Sequence, residues 1–122
     1  MQWTASLKAL GAGVALALGA ATAATCADYA PIDCSRADDS AQRTICRDYS
    51  LGQAEARMAT LYGVIASLVA MGQRGNLQDT QREWLKARDA CRDDRGCIAN
   101  AYSGRIQELN AMIVDLASRG PF

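Results

Sequence analysis

Cysteine is the residue type with the most chemistry to offer in this chain, and histidine is missing altogether. Cys34 and Cys46 are separated by eleven residues and Cys91 and Cys97 by five, while a fifth cysteine, Cys26, precedes them. Without an imidazole, neither a Ser-His-Asp nor a Cys-His nucleophile arrangement can be assembled within the chain. A zinc site built from four cysteines normally spaces its ligand pairs about two to four residues apart. The wider pairs here, in an exported chain, are read as disulfides instead. We expect Cys34–Cys46 and Cys91–Cys97. The second pair brackets a short turn, within reach of the usual Cα separation of about 5.5 Å. A Cys46–Cys91 bridge between antiparallel helices is the rival pairing. No metal and no cofactor is expected. The acidic residues fall mostly in turns or on exposed helix faces, so no pair of carboxylates is placed for general acid–base work. The chain is not expected to be an enzyme.

The elements that position these cysteines are helical. No segment after the N-terminal apolar run alternates with a period of two. Ser50-Leu51-Gly52-Gln53 has the form of a capping box. From it Leu51, Ala54, Met58, Leu61, Ile65, Leu68 and Gly72 recur every three or four positions, as one face of a helix does. Gly72 and Gly75 are expected to end that helix, and Asn76 to cap the next, over roughly 77–92. Asp93-Asp94-Arg95-Gly96 reads as a turn. A last helix over roughly 97–118 turns Ile98, Ala101, Tyr102, Arg105, Ile106, Leu109, Met112, Ile113 and Leu116 inward. A short helix over roughly 37–46 precedes them all. The fold class is therefore all-α. We expect a small antiparallel bundle of about four helices with short connections, stapled by disulfides.

The N-terminus carries an export signature over residues 1–27. Lys8 is followed by an unbroken run of small and aliphatic residues from Ala9 to Ala21. That run is shorter than the ~20 residues a membrane-spanning helix needs. Cleavage after Ala27 starts the mature chain at Asp28 and leaves four cysteines, an even number that suits a disulfide framework. Cleavage after Ala23, or lipid attachment at Cys26, are the alternatives. Residues 28–122 then form one small domain, periplasmic or secreted, with no membrane span after signal removal. Loss of the signal takes away only Lys8, leaving 12 basic against 13 acidic residues. With no basic stripe, nucleic acid is not an expected partner.

One group of residues is unusual for a plain helical core. Gln81, Trp84 and Arg88 lie on one side of the third helix, Glu55 and Tyr62 are seven apart on the second, and Tyr102 and Arg105 share the fourth. An unpaired buried charge is costly, so Arg88 or Arg105 is expected to pair with Glu55. We read Glu55, Tyr62, Gln81, Trp84, Arg88, Tyr102 and Arg105 as a polar clamp between helices, and expect Trp84 to fill the core between helices two and four.

The same residues carry a resemblance. Asp33-Cys34, Ile45-Cys46, Leu51 with Glu55, Met58 and Tyr62, Gln81-x-x-Trp84-Leu85-x-x-Arg88-x-x-Cys91, and Cys97 with Tyr102, Arg105 and Leu109 together resemble the N-terminal domain of the lysozyme inhibitor LprI family. The resemblance spans about residues 33–110. Glu55 stands where the family pattern has aspartate, and Ala54 where it has leucine. The resemblance implies an exported bacterial helical domain with disulfides and no catalytic motif. It implies lysozyme inhibition only for some members.

Two functions follow as expectations. The first is a non-enzymatic envelope protein that binds another protein, with a lysozyme-type muramidase as the named target. The turn Arg92-Asp93-Asp94-Arg95 is its candidate contact. The second is a structural or stress-related envelope module with no inhibitory target.

Overall fold

The computed structural model describes residues 29–120, so the export segment, its cleavage sites and Cys26 lie outside the described residues. An extended arm from Tyr29 leads into a single 3-10 turn, Cys34–Arg36. Four helices follow: α1 Ser40–Arg47, α2 Tyr49–Leu68, α3 Met71–Asp89 and α4 Arg95–Ser118. There is no strand among the described residues.

Aspartates set the starts of three helices. Asp39 accepts from the Gln42 amide at 2.8 Å, Asp48 from Leu51 at 3.0 Å and Asp94 from Cys97 at 2.9 Å. Each carboxylate satisfies an amide with no helical acceptor and faces the positive end of the helix dipole. This corrects the expected boundaries. α1 starts at Ser40 rather than 37, and α2 is capped by Asp48, which leaves Ser50 inside its first turn.

The α2–α3 connection also differs from expectation. Only Val69 and Ala70 separate the two helices, so Gly72, Gly75 and Asn76 lie within α3 and neither end nor cap anything. The Val69 amide closes α2 on Ile65 O at 3.0 Å, and the Arg74 amide opens α3 on Ala70 O at 2.9 Å. Continuing the helix keeps these backbone groups bonded, which offsets the cost of about 1 kcal/mol for each internal glycine.

Inward positions recur in the same rhythm on the long helices. α2 buries Leu51, Glu55, Met58, Tyr62 and Ile65; α3 buries Leu77, Gln81 and Arg88; α4 buries Ile98, Tyr102, Arg105, Leu109 and Leu116. Ala41 and Ile45 of α1 complete the core, whereas Leu68 and Met112 lie partly exposed at its edge. α4 is the common neighbour, packing closely on both α2 and α3, and α1 packs on α2. Although consecutive, α2 and α3 meet mainly through long side chains, with few close backbone approaches. Gln81 and Arg88 occupy the space between them.

Both disulfides form as local pairs, Cys34–Cys46 and Cys91–Cys97, each with a Cα separation of 5.6 Å. Each closes a short loop and contributes about 2–3 kcal/mol through the entropy of the unfolded chain.

An alanine β-carbon at Gly75 would meet nothing within 4 Å. Gly75→Ala should therefore raise stability by about 0.5–1 kcal/mol, the helix-propensity difference. A chemical denaturation curve checks this. Destabilisation would return the chain reversal to residues 72–76.

Candidate functional site

Glu55 is the centre of the buried polar group. Its carboxylate is 5% exposed. Oε1 accepts from the Tyr29 hydroxyl and from the Ile32 amide at 3.2 Å, both on the N-terminal arm. Oε2 accepts from the Tyr102 hydroxyl of α4 at 2.5 Å and lies 3.5 Å from Arg88 Nη1 of α3. One acidic side chain thus joins the arm and three helices.

Arg88, 2% exposed, is the counter-ion. Nη1 donates to the Tyr102 oxygen at 3.3 Å, while Nε and Nη2 donate to Asp89 Oδ1 at 2.9 and 2.7 Å. The guanidinium also lies 5.5 Å from the centre of the Trp84 ring, within range of a cation–π attraction. Burial works against the Arg88 charge, but its contacts with Tyr102 and Asp89 outweigh that penalty and hold its pKa up. Burial raises the pKa of the Tyr29 and Tyr102 phenols, and the negative charge of Glu55 raises both further.

Trp84 does not fill the space between α2 and α4. It is half-buried on the α3–α4 seam, where Nε1 donates to Ala101 O at 3.0 Å and the ring stacks edge-on against Tyr102 at 5.3 Å. The indole N–H needs a partner when buried, and the α4 backbone at the rim of the core supplies one. Tyr62 packs edge-on against Tyr29 at 5.8 Å.

Arg105 and Gln81 form a second buried pair one layer further along. Arg105 Nε donates to Gln81 Oε1 at 3.0 Å, Nη1 to Glu108 at 3.0 Å and Nη2 to the Thr80 hydroxyl at 3.3 Å. The Gln81 amide nitrogen faces Met58 Sδ at 3.2 Å. Of the two arginines considered for Glu55, Arg88 is the one that reaches it.

This interior has little left to offer a substrate. The Glu55 carboxylate already has four donors around it, and the four cysteines of the described residues are tied up in disulfides. Among the described residues, no group of three or more His, Cys, Asp or Glu is placed to hold a metal. Tyr29, Ile32 and Asp89 belong to the network but carry no periodic signal in the sequence. Tyr29 reaches Glu55 across 26 positions, a distance over which helical spacing says nothing.

The 92–95 turn lies elsewhere, on the surface. Arg92 adopts φ +55°, a left-handed conformation uncommon outside glycine. Asp94 caps α4, and Arg95 forms an ion pair with Asp48 at the start of α2. Arg92 and Asp93 are exposed.

The family described as "Lysozyme inhibitor LprI" matches residues 34–117. Proteins named "Lipoprotein LprI" from Mycobacterium bovis and Mycobacterium tuberculosis are each 30% identical over 93 residues. The match takes in 74% of this chain and 45% of each relative, so the chain spans less than half of their length. No solved structure matches.

Two outcomes test the network. Arg88→Ala strands the buried Glu55 carboxylate and should cost about 3–5 kcal/mol. Arg105→Ala should cost less, about 1–3 kcal/mol, because its carboxylate partner Glu108 is largely in solvent. Denaturation of the two variants side by side reads the order, and equal losses would contradict it.

The phenols predict an alkaline transition. Unfolded tyrosine ionises near pH 10, whereas folded Tyr29 and Tyr102 keep their protons beyond it. Their contribution is fully present below about pH 10 and is lost as the pH rises towards the folded values, each by up to about 1.4 kcal/mol per pH unit. Phenolate absorbance, followed together with circular dichroism, should show Tyr29 and Tyr102 ionising only as the helices melt.

Proposed function

The chain belongs to the lysozyme inhibitor LprI family, and on that premise we propose that it is an exported, non-enzymatic binding protein whose target is a lysozyme-type muramidase. The observation that carries this reading is the extent of the family match. It takes in all four helices, both disulfides and every member of the Glu55 cluster except those on the arm. The buried polar set supports the same reading, since its groups are committed to one another and leave no open acid, base or nucleophile.

A muramidase cleaves its glycan with two carboxyl groups facing each other across a cleft. An inhibitor has only to occupy that cleft with a rigid surface that stays folded outside the cell. Two disulfides in a chain of this size supply that rigidity. The 92–95 turn, closed by Cys91–Cys97 and tied to α2 through Arg95, is the candidate contact.

We infer an envelope location, either free after cleavage at Ala27 or tethered by lipid at Cys26. The mycobacterial relatives carry the name lipoprotein, which supports the tethered form. No helix among the described residues is long and apolar enough to cross a membrane. A second reading, an envelope module without an inhibitory target, draws on the fact that the chain spans less than half the length of those relatives.

Turbidity of bacterial cell walls exposed to lysozyme, with and without the oxidised protein, tests the proposal. Lysis should slow in a saturable, dose-dependent way. Unchanged lysis at stoichiometric excess would favour the second reading. Clearing of cell walls by the protein alone would make it an enzyme.

A further inference from the structure

One end of the bundle has features that stability alone does not account for. The Asp48–Arg95 ion pair draws the α1–α2 junction and the α3–α4 turn together there. A disulfide braces each of them, Cys34–Cys46 beside the junction and Cys91–Cys97 across the turn. By composition this end is neutral, with Arg47, Arg92 and Arg95 against Asp48, Asp93 and Asp94. The structure divides those charges unequally. Asp48 and Asp94 are spent capping α2 and α4, and Asp48 also holds Arg95. Arg47 and Arg92 are exposed and form no ion pair among the described residues. Two unpaired guanidinium groups, Arg47 and Arg92, therefore face solvent here beside the exposed carboxylates of Asp93 and Asp94.

Tyr49 stands on the same end. It opens α2 and is 82% exposed, beside a trench of about 580 Å³ that it lines with Ile32 and Gln53. Arg92 adds a second anomaly. Its φ of +55° is one that glycine adopts without steric cost, so stability would favour glycine at this position. A long cationic side chain kept in a strained backbone position is a feature of sites with a function outside the fold.

Resting on the proposed function above, we propose that Tyr49, Arg92 and Arg47 form the surface that enters the muramidase cleft. Tyrosine and arginine are the side chains that most often dominate protein–protein contacts. A guanidinium fork matches a carboxylate better than any other cation does, and paired carboxylates are what such a cleft offers. The disulfide braces hold both chain reversals before contact, which lowers the ordering cost of binding. The other strongly exposed apolar side chains, Met71 and Val114, lie toward the opposite end, away from the braced turns.

The test compares the oxidised parent with Tyr49→Ala, Arg92→Gly and Met71→Ala for melting temperature and inhibition of lysozyme-driven cell-wall lysis. Tyr49→Ala and Arg92→Gly should each raise the half-inhibitory concentration by roughly tenfold or more while melting close to the parent. Met71→Ala should match the parent in both. Arg92→Gly relieves the left-handed strain, so lost inhibition in that variant is not a folding defect. A parent that inhibits, with Tyr49→Ala and Arg92→Gly inhibiting equally well, overturns this surface and leaves the proposed function standing. A parent that inhibits no lysozyme overturns both.

Discussion

The Glu55 carboxylate is the constraint around which the rest of the molecule is arranged. A carboxylate this deeply buried is tolerated only when it is compensated by charge and hydrogen bonds. Its compensation comes from four residues on three parts of the chain: the arm through Tyr29 and Ile32, α3 through Arg88 and α4 through Tyr102. Apolar side chains would allow the helices to slide or rotate at modest cost. A single acid with four directional partners does not, because any shift leaves one of them unpaired in a medium of low dielectric. The spacing of the helices follows from it. Arg88 and Gln81 need room between α2 and α3, so those helices stand apart and α4 packs against both.

The disulfides act at a different level. Neither bridge joins two long helices; each closes a local loop at the same end of the bundle. Their contribution lies in restricting the unfolded chain and in holding two surface reversals in place. The buried network orients the helices, and the bridges stiffen one end of them. This separation lets the exposed end vary in side chain without disturbing the interior.

Much of this was legible in the sequence, for identifiable reasons. Helical periodicity reports burial directly, so Leu51, Met58, Ile65, Ile98, Tyr102 and Leu109 could be placed on inner faces from spacing alone. Polar residues falling on those same faces, Glu55, Gln81, Arg88 and Arg105, could be recognised as needing partners. Short cysteine spacings pointed to local bridges. The helix starts were less legible, because Ser50 and Asp48 both make acceptable caps locally. The choice fell to the carboxylate, whose charge also meets the helix dipole. Gly72 and Gly75 misled because glycine marks a chain reversal only where the backbone turns, and here Leu77 draws the helix straight through them.

By itself the sequence determined the helical class, the inner faces, the local cysteine pairs and the family to which the chain belongs. All of these rest on relations between residues a few positions apart. Only the tertiary structure decided which arginine neutralises Glu55, that Tyr29 of the arm completes its shell, that Trp84 sits on a seam, and that Asp48 and Arg95 bring two turns together. These contacts join residues 17 to 47 positions apart. At such separations, the meeting of two side chains depends on how the helices cross, which is set by packing and by the cost of leaving a buried charge alone.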